Sequence, residues 1–243
     1  MAGDHKQLPP TVLKAKELSR TLFEMLISKH PQNSAMLEVQ YRMNSWLMKF
    51  PNEEFYGGRI KADESVRNIT LRDLGVKPPE FGEPWDEILR PENVLVFVDT
   101  SKCPDRWERR RRGSTSRENP LEAKIVVNIV ERLLEIGVRE EWVGVITPYE
   151  DQVDLLRSKL DVEVNTVDGY QGREKEVVII SFVRSNRKGD LGFLADLRRL
   201  NTALTRAKRK LICVGDGETL NSHETYRRFL EFVKREGKFI PFC

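Results

Sequence analysis

The sequence predicts an α/β fold in which a parallel sheet is flanked by helices. Continuous apolar runs predict strands that are buried on both faces, at residues 94–98, 143–146, 177–183 and 211–214. Amphipathic helical patterns separate most of these runs, and this alternation is typical of a parallel sheet. The 243 residues are enough for one large α/β domain or two small ones.

Capping residues mark the predicted helices. Asn119, followed by a proline and then by an acidic residue at position 122, predicts a helix that ends near Gly137. A threonine–proline pair gives a similar start signal at residue 147. Further helices are therefore predicted over residues 147–160, 194–206 and 222–237.

Two segments lack this regularity. Residues 51–92 are rich in proline and glycine, and they predict an irregular insertion with short strands. Residues 101–118 are polar and contain four consecutive arginines, Arg109–Arg112. We expect a mobile basic surface loop there, and the alternative is an arm that tracks phosphates.

Composition limits the class of protein. The net charge is only +3, so no strong overall field attracts nucleic acid. No apolar run approaches a membrane span, and the N-terminus lacks the apolar core of a signal peptide. The three cysteines are scattered without metal-ligand spacing, which favours reduced thiols and no metal site. We expect a cytoplasmic protein, or a nuclear one in a eukaryote, that is neither secreted nor membrane-bound.

Two short segments near the N-terminus have side chains suited to a nucleotide. In residues 3–10, Gly-Asp-His-Lys-Gln-Leu-Pro-Pro, Gln7 can sense a terminal phosphate by hydrogen bonding, although a disordered tail is the alternative. In residues 39–43, Val-Gln-Tyr-Arg-Met, Tyr41 can stack on a base and Arg42 can bind phosphate. Taken alone, the second pair fits an ordinary structural role as well.

Residues 165–176 and 197–207 concentrate glycines, carboxylates and arginines at the ends of predicted strands. Such places allow close backbone approach to phosphate and ribose. Turn formation alone explains the glycines, and a solvated helix face explains the cations. Residues 147–149, Thr-Pro-Tyr, place a helix N-terminus and an aromatic ring after a strand, which suits a nucleic-acid backbone and base. Plain helix capping accounts for the first two equally well.

Taken together, these segments resemble the 5′→3′ branch of the superfamily 1 helicases. The group includes the immunoglobulin-mu-switch-region-binding helicase and the nonsense-mediated-decay RNA helicase. Residues 3–10 resemble motif III, 40–43 motif IV, 167–176 motif V, 181–186 the segment after it, and 199–207 motif VI. The order and spacing of these segments agree with those of the family's motifs from residue 3 to about residue 215.

The resemblance implies a three-layer, second RecA-like domain of a P-loop-NTPase-like enzyme. It implies that Gln7 couples the γ-phosphate to movement, Arg42 reaches the phosphates and Arg206 is the arginine finger. It also implies that Tyr41 lies against the base and Glu174 binds the ribose. The implied nucleotide-binding set is Gln7, Tyr41, Arg42, Gly172, Glu174 and Arg206, and the implied single-strand contacts are Thr147, Pro148, Tyr149, Thr166, Arg184 and Ser185.

The chain departs from the family because it contains no Gly-x-x-x-x-Gly-Lys-Ser/Thr stretch and no Asp-Glu pair before motif III. We therefore expect residues 1–13 to be a motif III remnant and linker, and residues 14–243 to be the second RecA-like domain of a longer helicase. The partner would be the first RecA-like domain of the same polypeptide. The parent would use ATP and Mg²⁺, and the chain alone would bind neither stably.

By resemblance, the parent translocates 5′→3′ on single-stranded DNA or RNA and unwinds duplexes. Two alternatives stay open. One is a non-catalytic module that binds single strands, and the other is the motor half of a nuclease–helicase. The residues do not choose between DNA and RNA, because backbone tracking and stacking tolerate both.

Overall fold

The computed structural model describes residues 1–9 and 20–243. Among them are eight strands: β1 Val39–Gln40, β2 Lys61–Ala62, β3 Leu95–Asp99, β4 Val143–Thr147, β5 Glu163–Thr166, β6 Lys175–Ser181, β7 Ala207–Gly215 and β8 Lys238–Pro241. Six of them form one sheet in the spatial order β5-β4-β6-β7-β3-β8. Every pairing in this sheet is parallel.

Helices cover the sheet and connect its strands. The α-helices are α1 Leu22–Lys29, α2 Ser45–Tyr56, α3 Trp85–Leu89, α4 Pro120–Glu135, α5 Glu150–Arg157, α6 Leu197–Leu204, α7 Gly217–Leu220 and α8 Glu224–Glu236. Short 3-10 helices occur at Pro31–Asn33, Leu71–Leu74, Glu140–Trp142 and Gly192–Ala195. No helix in the described part of the chain is long and apolar enough to span a bilayer.

The predicted α/β class is confirmed, and the four predicted strands are the four central ones, β3, β4, β6 and β7. The two edge strands, β5 and β8, were not predicted. Each contains a single fully buried residue among its four, Val164 and Ile240. A continuous apolar run needs burial on both faces, so an edge strand lacks that signal.

Alternate residues of the central strands enter two separate cores. On one face, Phe97, Val178 and Leu211 pack in a cluster that also includes residues of α2, α6 and α8. On the other face, Val96 and Ile179 pack in a cluster with residues of α4 and α5. Both faces are therefore covered, as the continuous apolar runs predict.

The predicted bounds of the irregular insertion and of one helix were wrong in part. Residues 51–56 continue α2 through Pro51, because Asn44 caps the helix and Leu47 and Phe50 anchor it in the core. The helix predicted over residues 194–206 is divided, since Asp196 caps α6 after a separate 3-10 turn. The domain boundary predicted after residue 13 lies outside the described residues.

The basic segment 101–118 is folded against the domain. The Nε atom of Arg109 lies 2.6 Å from the carboxylate of Glu118, and Arg111 pairs with the same group. Glu118 is buried, so it anchors two of the four consecutive arginines. The mobility of this loop stays a prediction.

The expectation of three reduced thiols was wrong for two of the cysteines. Cys103 and Cys243 form a disulfide across 140 residues, with Cα atoms 5.3 Å apart. The pairing of β8 with β3 places the C-terminus beside the loop that follows β3. Cysteine spacing in the sequence cannot reveal this proximity. Cys213 is a free, buried thiol.

Lys210 is a buried amine whose protonation should couple the stability of the fold to pH. Its side chain is fully buried and donates to the carbonyl oxygens of Arg90 and Asn93. Burial lowers the pKa of Lys210 from 10.5 to about 7. Between these values the unfolded chain binds more protons than the folded one, so the free energy of unfolding should rise with pH.

We therefore predict that wild-type stability increases from pH 7 to pH 9 by up to about 1.4 kcal/mol per pH unit from this residue. Lys210→Met should flatten that increase in urea unfolding, whereas Lys159→Met, at an exposed position, should keep it. An unchanged pH dependence in Lys210→Met would show that the buried amine is not its source.

Candidate functional site

Two of the predicted nucleotide contacts meet at the amino end of the sheet. Glu174 immediately precedes β6 and Arg206 immediately precedes β7. The two strands pair in parallel with Lys175 opposite Ala207, and the Lys175 amide donates to the carbonyl oxygen of Arg206 at 3.1 Å. The parallel register therefore makes two residues from distant motifs neighbours in space.

Arg206 is a buried cation held by neutral oxygen atoms. It is 3% exposed, and its guanidinium donates to the Gln7 side chain at 2.9 Å, to the Thr202 carbonyl at 2.9 Å and to the Arg173 carbonyl at 3.3 Å. Among the described residues, no carboxylate oxygen lies within 4.0 Å of the Arg206 guanidinium, and the nearby Glu174 pairs with Arg42 and Lys208 instead. A buried charge usually has such a partner, so this site is suited to an anion.

The surroundings of Arg206 destabilise its charged form. Burial and then the positive charge of Arg42 lower the pKa of Arg206 to about 10. The guanidinium is still charged at neutral pH, but its charged form is less stable here than it would be in water. A phosphate group would supply both the missing countercharge and two oxygen atoms that accept bidentate hydrogen bonds from the planar guanidinium.

Arg42 and Glu174 lie beside Arg206 and bind each other. Arg42 pairs with the Glu174 carboxylate and donates to the Thr205 carbonyl at 3.2 Å. Lys208 lies 3.2 Å from the other carboxylate oxygen of Glu174. Burial raises the pKa of Glu174, but Lys208 and Arg42 outweigh it and hold the pKa below its usual range. Glu174 is thus an ionised acceptor held between two cations.

The other two members of the predicted set are more open. Tyr41 is 69% exposed, so its ring is free to cover a flat ligand. Gly172 has a positive φ of 80° and no atom within 4 Å of the position that a Cβ would take. Its backbone conformation requires glycine, and the space beside it is empty of protein.

The N-terminal segment that carries Gln7 is tied to α6. Asn201 donates to the Lys6 carbonyl at 2.9 Å and to the Tyr56 hydroxyl at 2.8 Å. Tyr56 in turn donates to the Asp4 carboxylate at 2.6 Å. Burial and then this hydrogen bond raise the pKa of Tyr56 above its usual value. Sequence reasoning missed Tyr56, since it lies in the segment interpreted as irregular.

The predicted single-strand contacts lie at the opposite end of the sheet. Thr147 and Thr166 are the last residues of β4 and β5 and are paired in register. Arg184 and Ser185 follow the end of β6. The seven residues of β6 separate them from the nucleotide set by roughly 20 Å.

Four of these six predicted contacts are buried, and the side chains of three of the four are already bonded within the domain. The buried Thr147 hydroxyl has no hydrogen-bond partner among the described residues. The guanidinium of Arg184 lies 3.0 Å from Glu108 and 2.8 Å from Asp190, and it donates to the Tyr149 hydroxyl at 3.0 Å. The Ser185 hydroxyl donates to Asp216 at 2.6 Å. Thr147 is also buried, whereas Pro148 and Thr166 are partly exposed. Direct contact with a strand therefore stays a prediction for all six.

A strained turn sets the position of Arg184. Val183 has a φ of +69°, and the Arg184 amide donates to the Phe182 carbonyl at 2.7 Å. A β-branched residue rarely adopts this conformation, so the surroundings must enforce it. The buried carboxylate of Glu122 accepts from the Val183 amide at 2.8 Å, and burial raises the pKa of Glu122 to about 8.

The fold and these two groups of residues define a RecA-like α/β domain. The chain belongs to a family of AAA domains, which matches it over residues 18–218. It is 48% identical over 240 residues to an uncharacterized ATP-dependent helicase of Methanocaldococcus jannaschii, covering 96% of this chain and 34% of that protein.

Two further relatives also match nearly the whole of this chain over a small part of their own length. The DNA-binding protein SMUBP-2 of Mesocricetus auratus is 41% identical, with 98% of this chain and 24% of that protein covered. The DNA replication ATP-dependent helicase/nuclease DNA2 of Xenopus laevis is 39% identical, with 98% and 24% covered. The predicted resemblance to superfamily 1 helicases is confirmed, and the chain spans about a third or less of these relatives.

The hydroxyl of Tyr56 should anchor the N-terminal segment. We predict that Tyr56→Phe lowers the free energy of unfolding by about 1–2 kcal/mol, because it removes a hydrogen bond to a carboxylate and one acceptor of the Asn201 amide. Amide hydrogen exchange at Gln7 and Leu8 should accelerate. Tyr41→Phe is the matched control, since that exposed ring has no hydrogen bond among the described residues. Unchanged exchange in Tyr56→Phe would contradict the anchoring role.

Proposed function

We propose that the chain is the second RecA-like motor domain of an ATP-dependent helicase. The helicase would translocate 5′→3′ on single-stranded nucleic acid and unwind duplexes. The observation that carries the proposal is the buried guanidinium of Arg206, which has neutral partners and the cation Arg42 as a neighbour. Such a group is suited to the charge of a transferring phosphoryl group.

Each residue around Arg206 fits a part of a nucleotide. Arg42 has the fork geometry that phosphate oxygens accept, and Glu174 is an ionised acceptor suited to ribose hydroxyls. Tyr41 offers an exposed ring for the base. Gln7 is hydrogen-bonded directly to Arg206, so a change at the phosphates that moves one of these residues would also move the other.

The proposal requires a second domain. The phosphate-binding loop, its lysine and the acid that holds Mg²⁺ would come from a first RecA-like domain in the same polypeptide. Mg²⁺ would neutralise charge on the phosphates there. The residues of this chain would close the cleft from the other side, with Arg206 and Arg42 facing the phosphates.

The names of the relatives support this reading. Two are ATP-dependent helicases, and two are named for binding or replicating DNA. We therefore propose single-stranded nucleic acid as the partner, with DNA or RNA left open. The helicase/nuclease DNA2 keeps one alternative in view, a motor joined to a nuclease. A non-catalytic strand-binding module is the other alternative.

Arg206→Ala in the longer protein should test the role of the buried cation. We expect kcat for ATP hydrolysis to fall by about 10³-fold or more with little change in KM, because an arginine finger acts as charge develops. Arg198→Ala on α6, at a half-exposed position, serves as the control. A kcat within about threefold of wild type would show that Arg206 is structural only.

The 243-residue chain alone should hydrolyse no ATP above background, with or without single strands. Its residues bind only one side of the nucleotide, and the lysine of the phosphate loop is not among them. The longer protein, assayed in parallel for phosphate release, is the positive control. Steady-state turnover by the purified chain would contradict the division of the site between two domains.

A further inference from the structure

We propose that Phe193 is a residue on which the bases of the single strand stack. The inference rests on the proposed function, and it names a contact at the carboxyl end of the sheet that the motifs do not identify. Phe193 is 55% exposed, although it belongs to a short 3-10 helix in a well-packed part of the domain.

The ring of Phe193 packs against the buried Tyr149 and the partly buried Arg199. The Tyr149 ring lies beside it with centroids 5.3 Å apart, and the Arg199 guanidinium lies 5.5 Å from its centroid. Tyr149 is buried, and its hydroxyl accepts from the Phe193 amide at 3.3 Å. The contacts with Tyr149 and Arg199 therefore fix the exposed ring in one position at the surface.

The support extends one layer deeper. Arg184 donates to the same Tyr149 hydroxyl at 3.0 Å and is itself fixed by Glu108 and Asp190. A Cβ at Gly192 would lie 2.3 Å from the Arg184 guanidinium, so only glycine lets the segment pack down here. A polar network around the buried Tyr149 and Arg184 therefore sets the position of one exposed ring.

The surroundings of Phe193 fit a nucleic-acid strand. Arg187 and Lys188 lie on the loop that leads to the 3-10 helix, and both are exposed. Neither pairs with a carboxylate within the described residues. The Arg187 guanidinium lies 5.6 Å from the centroid of the Trp107 ring. Exposed cations on the loop that precedes an exposed aromatic ring suit a single strand, with phosphates on the cations and bases on the ring.

This arrangement explains why Tyr149 and Arg184 are buried. They would act as positioning residues that hold Phe193, while the ring itself meets the bases. Phe193 also precedes α6, whose other end leads to Arg206. A strand on the ring would thus be linked through one helix to the nucleotide side.

The test measures binding of a labelled oligothymidine of about twelve nucleotides to the 243-residue chain at low salt, by fluorescence anisotropy. Phe193→Ala should weaken binding roughly five- to a hundredfold, the range for one lost stacking contact. Phe193→Trp should bind within about threefold of wild type, and Phe193→Leu should be as weak as Phe193→Ala.

The salt dependence separates stacking from charge. Phe193→Ala should keep the slope of log affinity against log salt, whereas Arg187→Ala should make it shallower. Trp46→Ala is the matched control, since Trp46 is 45% exposed and also lies beside a cation, Lys49, at 5.3 Å. It should bind like wild type.

Three outcomes would overturn the proposal. If wild type binds and Phe193→Ala binds equally well, the ring does not meet the bases, but the proposed function stands. If Phe193→Leu binds as tightly as wild type, the ring is only an apolar cover. If wild type binds no strand at all, both this inference and the strand-binding part of the proposed function fail.

Discussion

The parallel pairing of β6 with β7 is the constraint on which the site depends. Because the two strands run in the same direction, the residues before them are neighbours, and Glu174 and Arg206 meet at one end of the sheet. Their carboxyl ends meet at the other, where the Ser185 hydroxyl donates to Asp216 and Arg184 pairs with Glu108 and Asp190. One hydrogen-bond register therefore sorts the motifs into two groups at opposite ends of the domain.

Helix α6 joins these two ends. At its start, Arg199 pairs with Asp168 after β5 and lies against the Phe193 ring. Towards its end, Thr202 bonds to the Leu8 amide and accepts from Arg206. A helix of eight residues is about 12 Å long, so it spans much of the distance between the groups. Under the proposed function, this helix would provide a physical route that couples nucleotide binding to strand binding.

The sequence was sufficient for the central strands, because apolar runs are local signals, and its motifs also singled out residues that the structure brings together at the amino end. It was insufficient where position depends on distant pairing. The edge strand β8 brings Cys243 to Cys103, and no local pattern shows this. Arg184 was predicted as a single-strand contact, and the structure shows it buried and paired with Glu108 and Asp190. Phe193 was not singled out, since an isolated phenylalanine normally indicates core.

The central claim is that Arg206 is a cation held ready for a phosphoryl group. A structure of the longer protein with a transition-state analogue of ATP and a single strand tests it most directly. We expect the Arg206 guanidinium within hydrogen-bond distance of the γ-phosphate mimic, and Arg42 moved from Glu174 to the phosphates. An Arg206 that still contacts only Gln7, Thr202, Thr205 and Arg173, with the analogue bound elsewhere, would contradict the account.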